Sequence, residues 1–277
     1  MRAIWLAVLV AGFAVGAQAQ DIKAKLNLCA DESAEPDLLI DACSWLLQPG
    51  RLTGGFLAFA SIKRGRAYFR KKQVDQAIRD FDQAIAHRPN YANSYINRGL
   101  AYSWKGQLDQ AIRDYGQAIV LAPDDAGAYS NRGAVYSRKG QHDHAIRDYN
   151  QAIALKPDDA RAYSNRGSAY FKKDQDDLAI RDFDQAIALR PDYATAYSSR
   201  GAAYLRKGQY DRAIGDFDQA IALKPDYATA YSNRGTAYLG KGQYNRAIRD
   251  YDEAIRLKPD YALAKANRVR AYKLNTQ

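Results

Sequence analysis

Asparagine recurs at a fixed interval along this chain, in a pattern suited to binding a peptide backbone. A carboxamide side chain both donates and accepts hydrogen bonds, as a peptide group does. A column of such side chains on one surface could therefore bind an extended peptide through its main chain. The alternative is that each amide satisfies only local backbone groups or water. The column is spaced by 34 residues, with Ser199 in its gap, and consists of Asn97, Asn131, Asn165, Asn233 and Asn267.

The asparagines lie within a longer repeated pattern that predicts the architecture. An Arg-Gly pair, followed three residues later by tyrosine, begins at Arg64 and returns every 34 residues as far as Arg234, without insertion or deletion. A decayed copy begins at Arg268. Units that repeat at this period stack on their neighbours and bury a shared core. The predicted repeats cover residues 58–91, 92–125, 126–159, 160–193, 194–227 and 228–261, with a capping helix at 262–277.

Each repeat is predicted to form two antiparallel helices, because apolar residues recur at helical spacing in two segments. In the fifth repeat, Gly208 is placed to end the first helix in a left-handed conformation. Asp211 is placed to cap or charge the start of the second helix, and Pro225 to stop it. A glycine inside a helix is costly, so Gly201 indicates that another helix approaches closely at that point.

The repeat resembles the tetratricopeptide repeat family. The shared residue types are tyrosine at positions 4 and 11, glycine at 8, alanine at 20 and 27, an aromatic residue at 24 and proline at 32. In the third repeat these residues are Tyr129, Gly133, Tyr136, Ala145, Tyr149, Ala152 and Pro157. The resemblance implies an all-α fold, a right-handed superhelical solenoid of helix-turn-helix repeats. It also implies binding of peptides or protein partners along a concave groove.

The same resemblance places part of the first helix of each repeat in the groove, at positions 2, 5, 6, 9, 12 and 13. The asparagine column at position 6 is similar to the asparagine ladder in the repeats of the O-GlcNAc transferase family. The groove residues do not match the lysine-and-arginine clamp that some family members use for terminal carboxylates. An amide column with apolar patches and a basic rim fits an extended peptide that is acidic or C-terminal. The rim candidates at position 13 are Trp104, Arg138, Lys172 and Arg206.

Arginine at position 7 departs from the family, which usually has leucine there. It is accompanied in every repeat by aspartate at position 23, and opposite charges introduced together predict a structural ion pair. Whether each arginine pairs within its own repeat or with the preceding one stays open. The arginines are Arg98, Arg132, Arg166, Arg200 and Arg234, and the aspartates are Asp114, Asp148, Asp182, Asp216 and Asp250.

Residues 1–19 have the pattern of a secretory signal peptide. Arg2 is followed by an apolar stretch, and Ala17-Gln18-Ala19 is a small-x-small cleavage motif. We therefore expect a periplasmic or secreted protein without a membrane span after cleavage, and an uncleaved anchor is the alternative.

Residues 20–57 are predicted to form an irregular helical cap on the first repeat. Cys29 and Cys43 are the only cysteines in the chain. In an oxidising compartment an isolated pair predicts a disulfide, and two buried free thiols are the alternative.

The formal charge of +10 favours acidic partners. However, lysine occupies position 14 in all six repeats, at a helix C-terminus where a cation is favoured. Such capping, together with export, disfavours nucleic acid as a partner.

The sequence shows no catalytic constellation, metal site or cofactor motif. We therefore predict a scaffold or adaptor of the bacterial cell envelope that binds protein or peptide. The alternatives are a basic solenoid that binds an acidic polymer, either surface polysaccharide or nucleic acid, and a regulatory subunit of an enzyme complex.

Overall fold

A computed structural model describes residues 17–276, and this part of the chain is all-α, as predicted. The predicted signal peptide lies almost entirely outside the described residues. Two helices form each predicted repeat, and one more pair precedes the first repeat. The helices are α1 (Ala17–Ala30), α2 (Pro36–Leu46), α3 (Gly55–Arg70), α4 (Val74–His87), α5 (Ala92–Trp104), α6 (Leu108–Leu121), α7 (Ala126–Arg138), α8 (His142–Leu155), α9 (Ala160–Lys172), α10 (Asp176–Leu189), α11 (Ala194–Arg206), α12 (Tyr210–Leu223), α13 (Ala228–Gly240), α14 (Tyr244–Leu257) and α15 (Ala262–Asn275).

The chain divides into two compact units, Met1–Val135 and Tyr136–Gln277, here called the N-terminal and C-terminal units, and the boundary lies within α7. Within each unit a helix packs mainly against its neighbours in sequence. The first helices of successive repeats also contact each other directly. This holds for α3 with α5 in the N-terminal unit, and for α9 with α11, α11 with α13, and α13 with α15 in the C-terminal unit. Each series therefore presents its first helices side by side.

The turn inside each repeat follows from one residue at position 15. Gly208 has a φ of +70°, so its prediction as a left-handed cap is confirmed. The N–H of Gln209 then donates to the carbonyl oxygen of Tyr204 at 2.9 Å, which closes the end of α11. Lys72 and Asp174 take the same left-handed conformation at the equivalent position in other repeats, although neither is glycine. The place of position 15 in the turn, and not only the residue type, therefore determines its left-handed backbone conformation.

Asp211 lies in the first turn of α12, where its charge complements the helix dipole. The prediction that it could cap the helix is wrong, because the N-cap is Gln209 and no side chain caps this end. The carboxylate of Asp211 instead pairs with Lys241 of the next repeat. The next repeat brings Lys241 close to Asp211, and rules based on local sequence do not include this contact.

The glycine at position 8 allows the two helices of a repeat to approach. A Cβ atom placed on Gly201 would lie 2.9 Å from Cε1 of Phe217, closer than packed side chains tolerate. Phe217 is fully buried between α11 and α12, together with Ala213 and Ala220. The decayed last copy carries Val269 at this position, and this side chain is half exposed on α15. Within the described residues no second helix follows α15, so nothing there requires glycine.

The pair α1 and α2 is more regular than the predicted cap. Cys29 and Cys43 are both fully buried and form a disulfide that joins the two helices, as predicted. Cys43 falls where the complete repeats have the buried aromatic residue of position 24. The disulfide therefore takes the place of the glycine-aromatic contact that joins the helices of the complete repeats.

Candidate peptide-binding site

One side of each first helix is left uncovered, at positions 2, 6, 9 and 13. These positions are three or four residues apart, so they share a helix face. In α9 they are Arg161, Asn165, Ser168 and Lys172, all exposed or half-buried. We call this face the first-helix stripe. Position 5 was expected in the groove as well, but its serines in the C-terminal unit, such as Ser164, are buried.

The asparagine column lies on this stripe. In the C-terminal unit, Asn165, Asn233 and Asn267 are half-buried on helices that are linked by direct contacts, and Ser199 fills the intermediate helix. Within residues 17–276 the amides of these three asparagines have no hydrogen-bond partner. Their donors and acceptors are therefore open to a ligand.

The N-terminal unit contains the other two members of the column. Asn131 is half-buried on α7. In Asn97 the side-chain Nδ2 donates to the main-chain oxygen of Asn93 at 2.7 Å and to its side-chain Oδ1 at 2.8 Å. The donor of Asn97 is therefore satisfied locally, which is the alternative that the sequence left open for the column.

The basic residues predicted at the rim differ in their surroundings. Lys172 and Arg138 are exposed. The guanidinium of Arg206 donates to Asp176 and Asp174 and to the main-chain oxygen of Phe171, and it stacks on that ring at 3.8 Å. Arg206 thus joins two repeats, and its hydrogen-bonding capacity is used within the chain.

Trp104 is the most exposed aromatic candidate, with 59% of its surface accessible. Its ring packs edge-on against Phe69 of the preceding repeat, with 6.4 Å between the ring centroids. Leu100, one helical turn earlier on the same stripe, is 44% exposed. Sequence reasoning did not include Leu100, although its position 9 on the stripe would have indicated it.

The arginines at position 7 bind two repeats at once. Nε and Nη2 of Arg98 donate to Asp114 of its own repeat at 2.8 and 2.7 Å. Nη1 donates at 2.7 Å to Asp82, at position 25 of the preceding repeat. The partner at position 23 therefore comes from the same repeat, and the preceding repeat supplies a different acceptor. The equivalent triplets are Arg166 with Asp182 and Asn150, Arg200 with Asp216 and Asp184, and Arg234 with Asp250 and Asp218.

Burial makes these ion pairs structural. The position-23 aspartates, Asp148 included, are only 3–6% exposed. Loss of water raises the pKa of Asp216, and the hydrogen bonds from Arg200 oppose that shift. The same hydrogen bonds raise the pKa of Arg200. Arg132 is half-buried near Tyr129, with its guanidinium 5.9 Å from the ring centroid. The hydrogen bonds of Arg98, Arg166, Arg200 and Arg234 therefore join neighbouring repeats.

Much of the remaining positive charge is also paired. Lysines at position 14 form ion pairs with aspartates at position 18 of the preceding repeat, as in Lys207 with Asp177 at 2.7 Å. Equivalent pairs are Lys105 with Asp75, Lys173 with Asp143 and Lys241 with Asp211. The helix-capping explanation of these lysines was therefore incomplete. At position 31, Arg190 stacks on Tyr193 at 3.4 Å.

Profiles of the repeat family match most of the chain. A profile described as "TPR repeat" matches residues 65–103, 105–140, 135–174, 167–208 and 203–242, and one described as "Tetratricopeptide repeat" matches 228–261. The chain belongs to the tetratricopeptide repeat (TPR) family. TPR repeats typically mediate protein-protein interactions, and TPR scaffolds are typically non-catalytic.

Solved TPR structures are similar to this chain. The protein MamA is 32% identical over 62% of this chain and 93% of its own, with a TM-score of 0.55. YrrB, described as a TPR protein with an unusual peptide-binding site, is 27% identical over 70% of this chain and 97% of its own, with a TM-score of 0.57. A TPR protein from Parabacteroides merdae, at 17% identity, covers 94% of this chain and shares the fold with a TM-score of 0.67. Comparison with curated proteins gives no match.

Two further properties hold for the part of the TPR protein that the structure describes. There, no group of three histidine, cysteine, aspartate or glutamate side chains is arranged to hold a metal ion. None of the helices in residues 17–276 combines the length and the apolar character needed to cross a bilayer.

Proposed function

We propose that this TPR protein is an adaptor that binds an extended segment of a protein partner along its first-helix stripes. The observation that carries the proposal is the column of Asn165, Asn233 and Asn267, whose amides are unpaired on a series of contacting helices. Packed helices lie about 8–10 Å apart, and an extended peptide advances about 3.3 Å per residue. Amides on neighbouring helices would therefore meet main-chain groups about three residues apart on the bound peptide.

We propose that the protein acts in the bacterial cell envelope. We propose no catalytic role for the chain itself. The signal-like residues 1–19 support export, and the disulfide between Cys29 and Cys43 suits an oxidising compartment. The peptide-binding site named for YrrB supports the mode of binding. Since many basic residues are paired with acids of the same chain, an acidic polymer is a weaker candidate than a peptide.

Removing two amides of the column should weaken partner capture. We expect Asn165→Ala combined with Asn233→Ala to reduce affinity by about 10–30-fold, because each lost hydrogen bond is worth about 1 kcal/mol. The helical melt should stay nearly unchanged, since neither amide bonds to another group within residues 17–276. Partners identified by cross-linking in intact cells would be titrated against the wild type and the variant.

The matched control for that experiment is Asn245→Ala, because Asn245 is an exposed asparagine on α14, away from the first helices. Capture that is equal for the wild type, the double variant and the control would contradict the proposal. Affinity that falls steeply with salt on a log-log plot, regardless of the amides, would instead favour an acidic polymer.

Export and oxidation have their own test. Protein recovered from the envelope fraction should lack residues 1–19, and its mass should be two hydrogens below that of the reduced chain. The physical reason is signal cleavage after Ala19 followed by oxidation of the two cysteines. Intact-mass spectrometry measures both changes. A full-length mass, or complete alkylation without a reductant, would argue against this part of the proposal.

A further inference from the structure

The first repeat carries a cluster of positive charge on its stripe. Lys63 and Arg66 occupy positions 6 and 9 of the first repeat, where the other repeats have amide, small or apolar side chains, and Arg70 occupies position 13, which is basic in three other repeats. All three lie against the loop between α1 and α2. The Oε1 atom of Glu32 in that loop accepts hydrogen bonds from Lys63 and from Arg66, each at 2.7 Å. Nη1 of Arg70 donates to the main-chain oxygens of Glu32 and Ala34, at 3.2 and 3.1 Å.

Three cations, Lys63, Arg66 and Arg70, lie beside two carboxylates, so the cluster keeps excess positive charge. The second carboxylate, Asp31, accepts hydrogen bonds from the N–H and hydroxyl groups of Ser33 and pairs with none of the three cations. A further cation, Arg88, lines the open cleft that runs from Glu32 past Lys63 and Arg66. The site can therefore attract another carboxylate.

The contact between Glu32 and the cluster is weak enough to exchange. The side chain of Glu32 is 58% exposed, that of Arg66 is 44% exposed and that of Lys63 is 18% exposed. An ion pair whose carboxylate is this exposed is worth little, because water and salt screen it. The neighbouring cations lower the pKa of Glu32, so it is ionised at neutral pH. The main chain of the loop is held separately by Arg70 and by the disulfide at Cys29. The carboxylate can leave while the loop stays in place.

An apolar surface lies next to the cluster in the same N-terminal unit. Helix α5 contacts α3, and its stripe has Leu100 and Trp104 at the same positions as Arg66 and Arg70. The edge-on contact of Trp104 with Phe69, the residue before Arg70, shows that the two helices are adjacent at this level. A ligand that pairs with the cations therefore finds exposed apolar side chains one helix away.

We infer that Glu32 is a built-in substitute for an acidic side chain of the partner. The partner's carboxylate displaces Glu32 from Lys63 and Arg66, and a large apolar residue next to that carboxylate packs on Leu100 and Trp104. The inference rests on the proposed peptide binding and adds two features to it. The part of the partner segment that binds the first two repeats contains an acidic residue next to a large apolar one. Glu32 competes with that acidic residue for Lys63 and Arg66.

The test uses the purified chain and two probe peptides that carry the same uncharged fluorescent label. The acidic probe is Gly-Ser-Glu-Glu-Leu-Trp-Ser-Gly, and the neutral probe has glutamine in place of both glutamates. Fluorescence anisotropy is measured for the wild type, for Glu32→Gln, and for Glu35→Gln as a control in the same loop. Glu35 is exposed and its side chain has no partner in the described structure. A fourth protein, Arg66→Gln, removes one cation at an exposed site, so its fold is not at risk.

Glu32→Gln should bind the acidic probe about threefold to fivefold more tightly than the wild type, which is the strength of an exposed ion pair. The neutral probe and Glu35→Gln should show no such gain, and Arg66→Gln should weaken the acidic probe alone. Equal affinity of the wild type and Glu32→Gln for the acidic probe would overturn the inference, while measurable binding of the neutral probe would leave the proposed function standing. Absence of binding of the acidic probe to all four proteins would overturn the inference alone, because the proposed function is tested separately by the asparagine variants.

Discussion

Replacing Arg200 by alanine is expected to lower the free energy of unfolding by about 3–5 kcal/mol, the usual cost of leaving a buried charge without its partner. Arg200 donates two hydrogen bonds to Asp216, which is only 6% exposed, and one to Asp184 of the preceding repeat. The variant would leave the carboxylate of Asp216 in a place from which water is excluded. Urea unfolding followed by circular dichroism measures the change.

Two further variants distinguish the cost of leaving a buried charge unpaired from the cost of losing an exposed charge. Asp184→Asn should cost less than about 0.5 kcal/mol, because that side chain is half exposed. Asn150 already accepts the equivalent hydrogen bond from Arg166. The double variant Arg200→Met with Asp216→Leu should recover most of the stability, since an apolar pair removes the uncompensated charge. If Arg200→Ala costs no more than Asp184→Asn, the structural role assigned to this pair is wrong.

Two glycines of the fifth repeat should respond to alanine with opposite signs. Gly201→Ala should destabilise the protein by about 1–3 kcal/mol, because the added methyl group would lie 2.9 Å from the buried ring of Phe217. Gly215 lies in the interior of α12, and a Cβ atom added there would meet nothing within 4 Å. Gly215→Ala should stabilise the protein by up to about 1 kcal/mol through helix propensity.

Thermal and urea unfolding of both variants measure this difference. Since alanine has the same intrinsic advantage over glycine at both sites, the difference isolates the contact with Phe217. Gly201→Ala combined with Phe217→Leu should cost less than the sum of the two single changes, because a smaller side chain leaves room for the methyl group. A shift of the same sign and size at both glycines would mean that close helix packing does not explain the glycine at position 8.

Several features of the fold were predictable from local rules. Gly208 ends α11 in a left-handed conformation, and Pro225 follows the end of α12, because both effects act on the backbone of one or two residues. The pairing of a glycine with an aromatic residue inside each repeat follows from helical periodicity. The disulfide was predictable because the chain contains only two cysteines.

The candidate site was predictable only in part. The asparagine column lies on the stripe that the resemblance implied, but Asn97 bonds to Asn93 and Arg206 bonds to the preceding repeat. The type of a residue indicates which hydrogen bonds it can make. It does not indicate whether a neighbouring side chain already makes them, because that depends on how successive helices are placed.

The sequence by itself determined the repeat, its helices and its family, because these depend on residue type and spacing within one repeat. Only the tertiary structure decided how repeats are joined. Arg200 lies sixteen residues from both Asp216 and Asp184, so spacing cannot choose between them, and stacking brings both to the same guanidinium. Glu32 lies outside the repeats, on a loop with no periodicity. Only the packing of α1 and α2 on the first repeat places its carboxylate on Lys63 and Arg66.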